Sequence, residues 1–166
     1  LDVSPSNVTR LLQTMRDAGF VEKSPKTNRY LLSNKFYVVT SNMLYSNECI
    51  QKYLPVAQRV AAKLNATVAL NSLYGKNAVM LARAGGLYRS EDFSVGNLRP
   101  AYCSSAGKVM LSTLSEQQMA VFWEGLEFEQ FQSNTIMDAG RLQRELEQIK
   151  RDGYAVDREE RYIGLV

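Results

Sequence analysis

Three stretches of this chain carry residue types and spacings that could do chemistry. The first is Ser105-Ala106-Gly107-Lys108, inside RPAYCSSAGKVML, residues 99–111. It fits S-x-x-K, where a lysine activates a nucleophilic serine in penicillin-binding enzymes. The companion motifs S-D-N and K-T-G do not occur. Gly107-Lys108 also suggests a phosphate loop, but the glycine required five positions earlier is Tyr102, and Val109 stands where Ser or Thr should follow the lysine. A third reading uses only backbone. A helix starting here offers free N–H groups and a favourable dipole to a small anion, and Ser104, Ser105, Ala106 and Gly107 are small enough to let it approach. The same pattern also describes a tightly packed helix start with no ligand.

The second stretch is GYAVDREERYIGL, residues 153–165, whose Asp157, Glu159 and Glu160 carry carboxyls suited to acid–base work. Carboxylates one to three positions apart after a strand read as solvated, and no second constellation supports glycosidase or metal chemistry. The third is SPSNVTRLLQTMRDAGF, residues 4–20. Ser6, Asn7, Thr9 and Arg10 sit at the start of its helix, where short polar side chains and an arginine can reach base edges or phosphates. Histidine is absent from the sequence, which removes His-dependent triads, HExxH zinc sites and histidine general bases. Cys49 and Cys103 lie far apart in no CxxC, so neither a disulfide framework nor a zinc site is expected. No cofactor and no metal are expected.

These residues need elements to position them. Ser4 caps the first helix, Pro5 takes its first position, Val8, Leu11, Leu12 and Met15 make one apolar face, and Gly19 ends it. Residues 20–23 and 29–32 form two short strands around a turn-rich tip bearing Lys26 and Arg29. A helix followed at once by such a hairpin is the second half of a winged helix-turn-helix, with the wing meeting the DNA backbone or minor groove. Residues 34–46 read as a connecting helix. Residues 47–64 read as a helix capped by Asn47, with Ile50, Leu54, Ala57, Val60, Ala61 and Leu64 on one face and Pro55 expected to kink or shift it. Ala66–Tyr74 and Ala78–Ala84 make a second hairpin ended by Gly85-Gly86, followed by a loop with a strand around Phe93–Val95. Helices follow over 104–114, from the capping box Ser115-Glu116-Gln117-Gln118 to Trp123, and over 138–152 with Leu142, Leu146 and Ile149 inward and Gly153 at the end. Tyr154–Asp157 and Gly164–Val166 read as strand starts.

At 45% hydrophobic and 22% charged over 166 residues, the composition is that of a globular protein and not of a disordered one. The net charge of +3 is unevenly spread: residues 1–33 and 34–114 are basic, and 115–166 are acidic. That split suggests two jobs, with an anionic partner nearer the front. No apolar run of about 18 residues and no signal peptide occur, which reads as a cytoplasmic protein with no membrane partner.

Three stretches together resemble one family. SPSNVTRLLQTMRDAGFVEKSPKTNRYLLS is similar to the recognition helix and wing of the IclR-type bacterial transcription regulators. RPAYCSSAGKVMLSTLSEQQ is similar to the segment entering that family's ligand pocket, and LEQIKRDGYAVDREERYIGL to its signature near the end of the effector domain. The resemblance implies an α+β fold: a partial winged helix-turn-helix over 1–33, a linker helix over 34–46, and a GAF-like α/β effector-binding domain over 47–166, incomplete at its C-terminus. It implies a ligand-responsive regulator of a metabolic operon, acting as a homodimer or tetramer on operator double-stranded DNA and sensing a small organic acid or related metabolite. By motif position the DNA-reading residues are Ser6, Asn7, Thr9 and Arg10, with Lys26 and Arg29 on the wing. The effector-binding positions are Ser105, Ala106, Asp157 and Leu165, and Ser105 departs from the Gly or Ala-like residue common there. The helices that normally precede the recognition helix and the later effector-domain strands are not in the sequence, so the intact protein is expected to be longer at both ends. The readings from other classes are a serine-lysine hydrolase using Ser105 and Lys108, and a GAF-like sensing or dimerisation module that does not bind DNA.

Overall fold

The computed structural model describes residues 4–86 and 94–164. The chain divides into two compact units, residues 1–51 and 52–166.

In the first unit, α1 (Pro5–Asp17) begins as its residues dictate: the Ser4 hydroxyl accepts the Asn7 N–H, and Pro5 needs no donor partner at the first position. It ends in a Schellman motif. Gly19 adopts φ +76°, its N–H bonds the Arg16 carbonyl, and the Phe20 N–H reaches back to the Met15 carbonyl. Strands β1 (Val21–Lys23) and β2 (Tyr30–Leu32) pair antiparallel with Val21 opposite Leu32. At the tip the Ser24 N–H bonds the Arg29 carbonyl, and Asn28 takes φ +57° to turn the chain. The hairpin is fastened back to α1: Ser33 Oγ donates to the Gly19 carbonyl at 2.5 Å, and Lys35 Nζ donates to the Ala18 carbonyl at 2.6 Å while lying over the Phe20 ring. Of the apolar face expected on α1, Leu12 and Met15 are half-buried, whereas Val8 and Leu11 are exposed. α2 (Lys35–Ser46) follows.

α3 (Glu48–Leu64) runs unbroken, with Asn47 Oδ1 accepting the Ile50 N–H and Pro55 inside the helix, so the proline does not shift its ends. In the second unit Ala57 and Ala61 of α3 pack with Ala84, Leu54, Val68 and Leu70 over the hairpin of β3 (Val68–Tyr74) and β4 (Asn77–Ala84). Val60 and Leu64, expected on the inward face, are exposed. Gly85 leaves β4 at φ +68°, and a Cβ there would lie 2.5 Å from the Ala66 carbonyl oxygen and 2.7 Å from Ala61 Cβ, so glycine is what lets the strand end pass beneath α3.

The third strand is β5 (Leu98–Pro100), antiparallel to β4 in a sheet ordered β3-β4-β5. It replaces the strand expected around Phe93–Val95. Phe93 lies outside the described residues; Ser94–Asn97 is a turn with Gly96 at φ +85°, and strand pairing begins only after it. A buried 3-10 turn, Ala101–Cys103, then leads into α4 (Ser105–Ser112), α5 (Glu116–Trp123) and α6 (Ala139–Asp152). Both halves of the Ser115–Gln118 capping box form, and Asp138 and Gly153 cap α6. Leu111, Phe122, Ile136, Leu142, Leu146 and Ile149 close the main core around Ala101–Cys103.

Residues 153–164 form no strand among the described residues, which corrects the expectation for Tyr154–Asp157. The physical reason is that side chains take the backbone groups a ladder would use. The Val156 carbonyl accepts from Lys108, the Arg158 carbonyl from Asn134, and the Glu160 carbonyl from Thr135, while Glu159 turns the chain at φ +58°. The strand start expected at Gly164–Val166 falls largely outside the described residues, and Gly164 itself is a turn residue at φ +80°.

Candidate functional site

The start of α4 is held in place before any ligand is considered. Ser104 Oγ accepts the Gly107 N–H at 3.1 Å, and the Lys108 N–H donates to the Ser104 carbonyl at 2.9 Å. Gly107 is here for space: a Cβ would sit 2.3 Å from the Ala101 carbonyl oxygen, 2.5 Å from Ala101 Cα and 2.6 Å from Ser104 Oγ. The helix therefore lies directly against the buried turn. The N–H groups of Ser105 and Ala106 belong to the first turn, whose donors have no acceptor within the helix. Both residues are half-buried.

Lys108 points inward. Its side chain is fully buried, and Nζ reaches Glu145 Oε1 at 2.5 Å, Glu160 Oε1 at 2.5 Å and the Val156 carbonyl at 3.0 Å. An ammonium has three N–H bonds and no lone pair. All three are engaged, so Lys108 is a structural cation and not a base for Ser105, which corrects the serine-lysine reading.

The same contacts correct the view of the C-terminal carboxylates as solvated. Glu160 is buried, its Oε2 has no hydrogen-bond partner, and burial pushes its carboxyl above the ordinary range, with Lys108 pulling the other way and Glu145 and Asp157 adding to the rise. Asp157 is half-buried, and its Oδ1 accepts the Glu160 N–H at 2.9 Å. Asp157 thus stands one residue after Val156, on a segment tied to α4 through Lys108. Leu165 lies outside the described residues.

Two further residues complete the surroundings, and neither was singled out from sequence. The buried Tyr102 hydroxyl donates to the Glu129 carbonyl at 3.0 Å and accepts the Glu129 N–H at 2.8 Å; burial raises its pKa. The buried Thr135 hydroxyl donates to the Glu160 carbonyl at 2.6 Å and accepts the N–H groups of Phe131 and Gln132. Cys103 is buried and its thiol is pushed up to about 12, chiefly by burial, which makes it inert.

Two of the cavities bounded by described residues lie in this unit. One, of about 430 Å³, is apolar and bounded by Leu111, Leu114, Met119, Trp123 and Leu146 between α4, α5 and α6. The other, of about 400 Å³, is polar and bounded by Arg141, Glu145, Tyr154, Arg158 and Glu160. Neither is lined by Ser105, Ala106 or Asp157. Among the described residues no group of His, Cys, Asp and Glu is arranged to hold a metal ion, and no helix is long and apolar enough to cross a membrane.

In the other unit, Ser6, Asn7, Thr9 and Arg10 are exposed on the opening of α1, and Lys26 and Arg29 are exposed at the hairpin tip. Ser6 Oγ sits 3.0 Å from the capping Ser4 Oγ, and Thr9 Oγ1 donates to the Pro5 carbonyl at 2.9 Å, leaving its lone pairs as acceptors.

A helix, a wing and a body of this build match known proteins. The model of the family described as bacterial transcriptional regulator IclR, C-terminal, matches residues 41–166. The chain belongs to the IclR family of bacterial transcriptional regulators. Among curated IclR relatives it is 26% identical over 164 residues to the HTH-type transcriptional regulator KdgR of Escherichia coli, covering 98% of this chain and 62% of that protein. It is 27% identical over 168 residues to the E. coli DNA-binding transcriptional repressor YiaJ, covering 98% and 59%. The crystal structure of the Thermotoga maritima IclR superposes with a TM-score of 0.72 at 26% identity, covering 98% of this chain and 66% of that one. The chain thus spans about six-tenths of the length of these curated IclR relatives. IclR relatives are regulators and not enzymes, which agrees with Lys108 having no base to offer.

Proposed function

We propose that this chain is the sensing body and part of the winged DNA-binding module of a ligand-responsive transcription regulator of a metabolic operon. On this reading the effector is a small organic acid or related metabolite. Its carboxylate meets the N–H groups of Ser105 and Ala106 at the positive end of α4, where the dipole and free donors favour an anion. Asp157 offers its second oxygen to a hydroxyl of the acid, and Leu165 adds apolar contact. Ser6, Asn7, Thr9 and Arg10 read operator base edges, while Lys26 and Arg29 hold the phosphate backbone. A dimer, alone or paired into a tetramer, sets two such helices about 34 Å apart in successive major grooves.

The observation that carries this reading is the start of α4: a capped, glycine-seated helix end with two first-turn donors, tied through Lys108 to the segment bearing Asp157, within an IclR-family chain. The test is operator selection on the intact protein at fixed salt, with and without a panel of small carboxylic acids. A palindromic site whose affinity shifts with one acid supports the proposal; no sequence preference under any acid leaves a sensing module without DNA binding. Arg10→Ala is expected to weaken operator binding with acid affinity unchanged, and Asp157→Asn to do the reverse. Equal loss of both functions in either variant argues against this division of labour.

A further inference from the structure

We infer that Lys108 is the positioning residue of the acid site: its buried ammonium fixes the Asp157-bearing segment against the first turn of α4. The inference rests on the acid-binding reading above and adds what keeps that site in shape. Lys108 grips both sides of the joint. Its own N–H closes the α4 turn on the Ser104 carbonyl, and its Nζ bonds the Val156 carbonyl just before Asp157 and the Glu160 carboxylate just after it. The Glu160 N–H in turn bonds Asp157 Oδ1. The third partner, Glu145, comes from α6 and is about one-third exposed.

The segment's other bonds come from one loop: Gln132, Asn134 and Thr135 bond the carbonyls of Arg161, Arg158 and Glu160. No strand ladder forms over 153–164, so directional side-chain bonds must set its place. A circuit results: Tyr102 ties the buried turn before α4 to Glu129, Thr135 of the same loop ties to the Glu160 carbonyl, and Glu160 returns to Lys108. A buried ion pair is a poor device for stability alone, because removing two charges from water offsets much of their attraction. Three fixed acceptors around one ammonium do define a position, and the position defined is that of Asp157 relative to the donors of Ser105 and Ala106.

The experiment uses the intact protein with Glu145→Gln, Glu160→Gln, and the double variant Lys108→Met with Glu160→Gln, which leaves no buried charge unbalanced. Hydrogen–deuterium exchange is followed over 153–160 and over the β3–β4 hairpin, and binding of acetate, lactate and benzoate is titrated by calorimetry. In the double variant, exchange over 153–160 is expected to rise about tenfold or more, the loss of at least one charge-assisted hydrogen bond, with hairpin exchange unchanged. Affinity for whichever acid the wild type binds falls by a similar factor. Glu160→Gln shows a smaller effect of the same kind, and Glu145→Gln stays within about threefold, because Glu145 is itself about one-third exposed. Exchange that is unchanged over 153–160, or raised evenly through the unit, overturns the inference, as does raised local exchange with unaltered affinity. A double variant that does not fold leaves the ordering of the two glutamate variants as the deciding result. If none of the acids binds the wild type, the acid-binding reading fails on that arm, and the exchange pattern alone decides whether Lys108 positions the segment.

Discussion

Replacing Gly107 with alanine sets two effects of opposite sign against each other. Helix propensity favours alanine inside α4 by about 1 kcal/mol. Packing opposes it. The new Cβ would lie 2.3 Å and 2.5 Å from backbone atoms of Ala101 and 2.6 Å from Ser104 Oγ, so no flexible side chain can move aside to relieve the closest contacts. Ordinary carbon contacts need roughly 3.5 Å, which requires α4 to retreat from the buried turn by about 1 Å. Overpacking of that kind costs about 1–3 kcal/mol, and backbone on the opposing side places this case at the upper end. The net expectation is a loss of about 2 kcal/mol, or about 4–8 °C in Tm for a chain of this size. Urea unfolding followed by the fluorescence of Trp123, the single tryptophan, measures it, with the m-value checking that the unfolding reaction is unchanged. Gly140→Ala in α6 is the matched control. There the nearest atoms are the side-chain ends Asp138 Oδ1 at 3.2 Å and Arg144 Nη1 at 3.5 Å, and a gain of a few tenths up to about 1 kcal/mol is expected. A Gly107→Ala protein as stable as the wild type, or more stable, refutes the claim that close approach dictates glycine at this position.

Four further outcomes are expected. Tyr102→Phe strips the partner from both backbone groups of Glu129 and should cost about 1–3 kcal/mol, read by chemical denaturation together with faster exchange of the Glu129 amide; a change below a few tenths would mean the loop does not depend on that hydroxyl. Iodoacetamide at pH 8 should modify one thiol in the native protein, the exposed Cys49, and two in urea, as intact mass reports. Because the Cys103 thiol is raised from 9.0 to about 12, the unfolded chain releases that proton first, so its contribution to stability is present below pH 9 and declines as pH rises from 9 towards 12; a Cys103→Ser protein should lose that alkaline slope. Lys26→Ala should weaken operator binding evenly across sequences and lower the salt slope by about one, whereas a change in sequence preference would move Lys26 from phosphate to base contact.

Elements with a local signal were legible in the sequence. Ser4-Pro5 and Gly19 bracket α1, the capping box opens α5, and Asp138 and Gly153 bracket α6, because each device is built from residues a few positions apart. Elements set by distant partners were not. The strand at Leu98–Pro100 exists because β4 offers an edge to it, while Phe93–Val95 has the better alternation. Tyr154–Asp157 has the composition of a strand, yet the Val156 carbonyl is claimed by Lys108, and those of Arg158 and Glu160 just beyond it by Asn134 and Thr135.

The candidate site follows the same division. Small residues at 104–107 fitted both an anion-binding helix end and a tightly packed one, and the structure seats Gly107 directly against the buried turn. What surrounds it was hidden because its chemistry is long-range: Lys108 meets Glu145 and Glu160, which lie 37 and 52 residues away. A signal did exist. Lys108 stands four residues after the buried Ser104 and three before the buried Leu111, so it occupies the inward face of α4, and a lysine at an inward position requires acidic partners somewhere in the fold. The acidic run of 115–166 was where to look for them. Its excess of carboxylates reads along the chain as a separate acidic region, but two of those groups neutralise a cation contributed by the basic middle segment. Segregation of charge in sequence is therefore no guide to segregation in space, and the fate of each carboxylate depends on which inward-facing cation the fold brings to it.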